Sequence, residues 1–271
     1  LYAYVAFFVV ILTYGMETAF FRFSNLETDK KKVYSTTLVS IVVSSSLFMV
    51  LAFFFSQEIA NAIRFGQHPE YIKYFALIIG LDAISSISFA KLRHHNKAIR
   101  FAIIRLSNIF VNIGLNLFFI IYCDYAIENN LSSVSFIEKI YNPEIGIGYI
   151  FISNLVASII TIILLLPEMF GNFRSFDKLL WKKMLIYASP LMIAGLAGIA
   201  NETIDRIILQ YLLPVDVATS EIGIYSAFYK LSIIMTLFVQ TFRFGAEPFF
   251  FAQEKEKNSK ELYARVLKYF T

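Results

Sequence analysis

Ionisable side chains stand inside long apolar runs of this chain, and their spacing bears on what it can bind. The densest group is Asn201-Glu202-Thr203-Ile204-Asp205-Arg206. Glu202 and Arg206 are four apart, as are Asn201 and Asp205, so on a helix two adjacent faces are polar. An i,i+4 ion pair would neutralise Glu202 and Arg206 locally and leave Asp205 to find a partner, for which Lys230 on the next run is a candidate. A structural salt-bridge network is the plainer reading of the group. Against it, packing alone does not require three charges so close together at that depth.

Other charges are scattered along the runs. Glu17 and Arg22 lie near the end of the first run, Asp82 lies midway along the third, and Arg105 begins the fourth. Asn108, Asn112 and Asn116 follow Arg105 at spacings of three, four and four. They draw one polar line down a helix otherwise made of Ile, Phe, Val and Leu. That line is either cavity lining or interhelical hydrogen bonding, the latter worth about 0.6–2 kcal/mol per contact. Lys230, Arg243 and Glu247 fall in the last run. A charge at membrane depth costs about 2.5–3.5 kcal/mol on insertion scales, so each needs a cavity or a partner.

The elements that must position these groups follow from composition. Of 271 residues, 58% are hydrophobic and only 16% are charged, against about 25% charged in a soluble domain. The apolar residues form seven runs, about 1–23, 34–55, 71–90, 101–122, 146–166, 185–212 and 222–250, each near the length that spans a bilayer. The expected fold is an all-α polytopic membrane helix bundle. Loop charge supports the count. Lys30–Lys32, then Lys91, Arg93, Lys97 and Arg100, then Arg174, Lys178, Lys182 and Lys183, and finally the tail from Lys255, occupy every second connection. The connections between them carry few basic residues; that of 123–145 has Lys139 against four acids. The alternation places the basic loops in the cytoplasm. Pairs such as Tyr71 and Tyr74, Tyr122 and Tyr125, or Trp181 and Tyr187 suit an interfacial aromatic belt.

A sequence pI near 9.0 could suggest nucleic acid, but the basic residues sit between apolar runs and fit a membrane surface instead. The single cysteine, Cys123, excludes an internal disulfide. His94 and His95 are adjacent and make no metal site, and Gly146 and Gly148 lack the strand-to-helix setting of a phosphate loop. No cofactor is expected.

Two stretches repeat. Gly15-Met16-Glu17-Thr18-Ala19-Phe20-Phe21 and Gly245-Ala246-Glu247-Pro248-Phe249-Phe250-Phe251 both read G-x-E-x-x-F-F, on runs six apart and so parallel. Transporters built from two parallel halves carry their substrate site between the halves. A six-span repeat unit implies one span before Leu1 and further spans after Thr271, so the chain is read as a fragment.

The stretches Tyr14–Phe23 (YGMETAFFRF), Asn201–Leu209 (NETIDRIIL) and Gly223–Leu231 (GIYSAFYKL) resemble polysaccharide biosynthesis flippases of the multidrug/oligosaccharidyl-lipid/polysaccharide exporter superfamily. The resemblance covers essentially the whole chain, as spans two to eight of twelve or more. It implies a two-lobed exporter-type fold, with residues 1–167 as an N-terminal lobe lacking its first span. Residues 168–184 would be a cytoplasmic linker and 185–271 the start of the second lobe. It implies export of undecaprenyl-diphosphate-linked glycans across the bacterial inner membrane by alternating access, with no enzymatic step. Cations in a central cavity would receive the diphosphate. Here these are Arg22, Arg105, Arg206, Lys230 and Arg243, and such groups suit a ligand with several negative charges. The energy source is open between the membrane potential, about 2.3 kcal/mol per charge per 100 mV, and proton or sodium coupling through Asp82, Glu202 or Asp205. A drug/cation antiporter of the same superfamily is the nearest alternative and would favour uncompensated acids. A membrane-embedded glycan polymerase or transferase would need catalytic residues in a large external loop, and 123–145 offers neither Arg nor His. A membrane scaffold leaves the buried charges unexplained.

Overall fold

The computed structural model describes residues 2–62, 69–129, 137, 140–146, 148–170, 175–253 and 259–270. Among them the regular structure is helical, with no strand. In chain order the helices are α1 (Tyr2–Thr13), α2 (Met16–Leu26), α3 (Lys30–Phe54), α4 (Ser56–Ala62), α5 (Pro69–His94) and α6 (Ala98–Leu117). They continue with α7 (Cys123–Glu128), α8 (Gly148–Met169), α9 (Lys178–Leu212), α10 (Val215–Gln253) and α11 (Ser259–Phe270). A π-helical turn, Phe118–Tyr122, joins α6 to α7.

Six segments of the described residues are long and apolar enough to cross a membrane: Val5–Leu26, Lys30–Phe54, Pro69–His94, Ala98–Ile127, Gly148–Met169 and Lys178–Asn201. Within α10, Ser220–Tyr229 and Ile234–Phe251 meet at a bend of 54° and, taken as one span, make a seventh. Lys230 stands in the break between those two stretches. The sixth segment differs from the sequence reading of 185–212. It starts earlier, at Lys178, and the helix that carries it runs on to Leu212 with Glu202, Asp205 and Arg206 in it. Hydropathy missed the earlier start because Lys182 and Lys183 interrupt the first turns; both are exposed there.

The described residues gather into two compact units, Leu1–Thr37 with Ser175–Thr271, and Leu38–Arg174. In the first, α1 and α2 pack on α9, and α2 and α9 also pack on α10. Met16, Phe20, Phe21, Val33 and Tyr34 are buried there, as are Leu180, Met184 and Ala188. The break between α1 and α2 is a backbone feature: Tyr14 has φ 32° and Gly15 φ 71°. A Cβ on Gly15 would lie 2.8 Å from the carbonyl oxygen of Ala188, so glycine lets the first span lie directly on α9.

In the second unit, α8 packs along both α5 and α6, and α4 packs on α5. Phe89, Leu92, Ile104 and Leu165 form a buried cluster, with Phe101 against it. At the other end of these helices Phe119, Tyr149 and Tyr141 stack at 4.4 and 5.0 Å between ring centroids. The Tyr141 hydroxyl donates to Asp124 at 2.5 Å, and burial holds that phenol neutral to well above its ordinary pKa.

Candidate functional site

Unit Leu38–Arg174 holds a polar layer inside its apolar helices. The Ser158 hydroxyl on α8 donates to Asp82 on α5 at 2.9 Å. One turn further along α8, Thr161 accepts from the Asn108 amide of α6 at 2.9 Å while donating to the Ala157 carbonyl. Arg105, itself exposed, lies over the Phe89 ring at 4.2 Å and 5.8 Å from that of Phe101. Two separate hydrogen bonds thus tie α5 and α6 to α8, each made by side chains that hydrocarbon could not solvate. Asn116 turns inward on its own helix and donates to the Asn112 side chain at 2.6 Å and to the Asn112 carbonyl at 2.9 Å. The polar line read from the spacing therefore divides: Asn108 ties α6 to α8, while Asn112 and Asn116 pair along α6.

A second group in this unit was not read from the sequence. Glu168, buried near the end of α8, has three cations on its carboxylate. Lys97 and Arg100 reach the same oxygen, Oε1, at 3.2 and 2.9 Å, and Lys91 lies 3.3 Å from Oε2. Lys91 also donates to the Glu168 carbonyl at 2.6 Å. Asn96, at φ 55°, turns the chain between α5 and α6 so that both helix ends reach α8. The available signal was a lone acid beside Pro167 at the end of an apolar run facing a basic connection.

In unit Leu1–Thr37 with Ser175–Thr271, Arg22 is half-buried with its guanidinium over the Tyr187 ring at 4.4 Å. The Thr18 hydroxyl donates to the Glu247 carboxylate, so the two copies of the repeated motif touch each other through α2 and α10. Glu17 beside it is half-buried and Arg243 is exposed. Asp205 accepts from the Tyr225 hydroxyl of α10. The side chains of Glu202, Arg206 and Lys230 lie outside the described residues. An apolar hollow of about 400 Å³ lies between α10 and α11, lined by Thr241, Phe242, Gly245, Phe249 and Val266 among others. Among the described residues that line it none is a predicted cation.

The start of α3 is clamped to the start of α9 in this unit. Asp177 caps α9 by accepting from the backbone of Leu179 and Leu180 at 2.8 and 3.1 Å, and pairs with Lys32 at 2.6 Å. Its own backbone N–H donates to Thr36 at 3.1 Å, and that of Ser175 to Ser35 at 3.2 Å. Lys32 and the helix N–H groups hold the Asp177 carboxyl down to about 2. A depressed carboxyl stabilises above its unfolded-chain pKa, about 3.9, and the contribution is lost as pH falls through the folded value. Thermal unfolding in detergent should show the wild-type midpoint falling faster between pH 4 and pH 2 than that of Asp177→Asn. Asn keeps the cap and removes the charge; parallel curves would refute the clamp.

Among the described residues no group of three or more His, Cys, Asp or Glu could hold a metal ion. A helical bundle with six or seven apolar spans among the described residues defines a polytopic α-helical membrane protein. Residues 144–246, which include α8, α9 and most of α10, match the family described as polysaccharide biosynthesis protein. That is the family the sequence resembles. No curated protein and no solved structure matches the chain.

Proposed function

We propose that this protein is a flippase that moves a lipid-linked oligosaccharide, carried on undecaprenyl diphosphate, across the bacterial inner membrane by alternating access. The observation that carries the reading is the family match over 144–246 on a chain with six or seven membrane spans. In this reading the spans would form the path through the bilayer, and the match to a polysaccharide biosynthesis family supports a glycan precursor as the cargo. The cations Arg22, Arg105, Arg206, Lys230 and Arg243 would receive the diphosphate, as guanidinium and ammonium groups bind phosphate oxygens well. No bond in the cargo is made or broken in this scheme, so the protein is a transporter and not an enzyme. Coupling would use the membrane potential, or protons or sodium through Asp82, Glu202 or Asp205.

Complementation tests the reading. The wild-type protein should restore glycan export to a flippase-null strain, and the double variant Arg206→Ala with Lys230→Ala should lose at least about tenfold of it. Full export by the double variant would sink the cationic cavity. Export of a cationic drug, with no glycan export by the wild type, would favour the antiporter instead. Orientation is read separately by cysteine labelling after replacing the buried Cys123. Ser132→Cys, outside the described residues, should label from the periplasm and Ser175→Cys from the cytoplasm; the inverse pattern overturns the positive-inside assignment.

A further inference from the structure

Buried hydroxyls in these spans can turn back onto their own helix. Thr37, Ser85 and Thr161 each donate to the carbonyl four residues earlier, of Val33, Leu81 and Ala157. Ser153 on α8 does not. It is 0% exposed, and its hydroxyl has no hydrogen-bond partner among the described residues. The Oδ1 atom of Asn116 on α6 is likewise buried without a partner. The Asn116 amide nitrogen is occupied by Asn112, whose backbone carbonyl can only accept, so the orientation of the Asn116 amide is fixed. Each orphaned atom has given up its hydration for nothing in return.

The packing register sets the two orphans level. α6 and α8 run antiparallel: Arg100 meets Glu168, Ile104 shares a cluster with Leu165, Asn108 donates to Thr161, and Phe119 stacks on Tyr149. Asn116 lies eight residues beyond Asn108, and Ser153 eight before Thr161, between the last two of those contacts. Tyr149, Ser153, Ala157, Thr161 and Leu165 recur every four residues on α8, and all are buried. Ser153 can donate and Asn116 Oδ1 can accept, yet the two are not bonded to each other. A water molecule completes both, accepting from the hydroxyl and donating to the amide oxygen. Its second proton has a further acceptor in Asn112 Oδ1, which keeps a lone pair beyond the one used by Asn116 at 2.6 Å. A cation fits less well. These oxygens are uncharged, and the acid Asp82 bonds Ser158, which ties α8 to α5 instead.

We propose that Ser153 and Asn116 hold a water molecule between α6 and α8, bridging the Ser153 hydroxyl to the Asn116 amide oxygen. The asparagine line then serves the α6–α8 interface at both ends, directly through Asn108 and through water at Asn116. The site rests on helix packing and is independent of the cargo.

A structure of the purified full chain at water-resolving resolution, from potassium chloride and again from sodium chloride, tests it. One density should bridge Ser153 and Asn116 in both salts, and Ser153→Ala should remove it. Ser85→Ala, whose hydroxyl is already satisfied by Leu81, should keep it. Density in sodium alone would make this a cation site, and no density in either salt would make the interface dry; both overturn the proposal. Stability in detergent gives a second reading. For an unbridged buried hydroxyl, Ser153→Ala would leave the unfolding midpoint unchanged or raise it. For a bridged one the midpoint should fall, and by less than about half as much in an Asn116→Leu background, where the bridge already lacks its far end. An unchanged or raised midpoint, or equal falls in the two backgrounds, overturns the proposal.

Discussion

Glu168→Ala is expected to destabilise the detergent-solubilised protein by about 3 kcal/mol, read from the unfolding midpoint in mixed micelles. Glu168 is 6% exposed, yet its carboxylate accepts from Lys97 and Arg100 and lies beside Lys91. Removing it leaves the three cations facing one another, and Lys91, whose side chain is 17% exposed, keeps only the Glu168 backbone carbonyl among these partners. Breaking a buried pair from one side costs about 3–5 kcal/mol. The low end applies because Lys97 and Arg100 remain within reach of water. These four residues join α5, α6 and α8 just beyond the cluster of Phe89, Leu92, Ile104 and Leu165. Glu168→Gln, which keeps an acceptor, should lose less. Lys97→Ala should lose about 1 kcal/mol or less, as expected of an exposed ion pair. A Lys91→Met/Glu168→Leu double variant should recover part of the loss, because removing both partners ends the burial of an unpaired charge. If Glu168→Ala is as stable as the wild type, the carboxylate does not hold these helix ends.

Gly15→Ala should cost about as much, and for a different reason. The residue sits at φ 71° between α1 and α2, where a side chain costs about 1 kcal/mol or more in strain. Its new Cβ would also lie 2.8 Å from the Ala188 carbonyl oxygen and 3.2 Å from the Leu191 Cβ. The nearest obstacle is backbone and cannot rotate away, so α1 and α2 must move off α9. Overpacking of this kind adds about 1–3 kcal/mol. Two controls give the prediction its force. Gly114 on α6 has nothing within 4 Å of the position its Cβ would take, so Gly114→Ala should be neutral or stabilising by up to about 1 kcal/mol. Gly245, the counterpart of Gly15 in the repeated motif, likewise has open space around it. Gly245→Ala should therefore be tolerated in stability measurements. Equal losses at Gly15 and Gly245 would contradict the contact with α9.

The repeat illustrates how far the sequence carries. The motif G-x-E-x-x-F-F is visible twice from residue order alone, and its two copies fall on parallel runs. Residue order does not show that Gly15 is pressed against Ala188 while Gly245 is not, or that Thr18 of one copy donates to Glu247 of the other. Such contacts join residues far apart in the chain, and no local pattern encodes them. The asparagine line shows the same limit. Its spacing puts Asn108, Asn112 and Asn116 on one face of a helix, but only the packing of α8 gives Asn108 a partner in Thr161. Sequence proximity matches Asp205 with Lys230; its described partner is Tyr225, which also lies on the next helix but nearer its start.

What the sequence determined by itself is the class. Continuous apolar runs of bilayer length become helices, since in hydrocarbon a helix satisfies all backbone hydrogen bonds within one segment. The resemblance to a family was legible in residue order as well, and residues 144–246 match that family. The tertiary structure alone decided which charges are paired. In the sequence Glu168 is one acid at the end of a run, and Asp177 a linker residue. Each is instead the point where helix ends meet, with cations from another helix on it. The reason is physical: the cost of a charge near or within a membrane depends on what stands within about 4 Å of it, and that distance is set by how helices pack, not by their order in the chain.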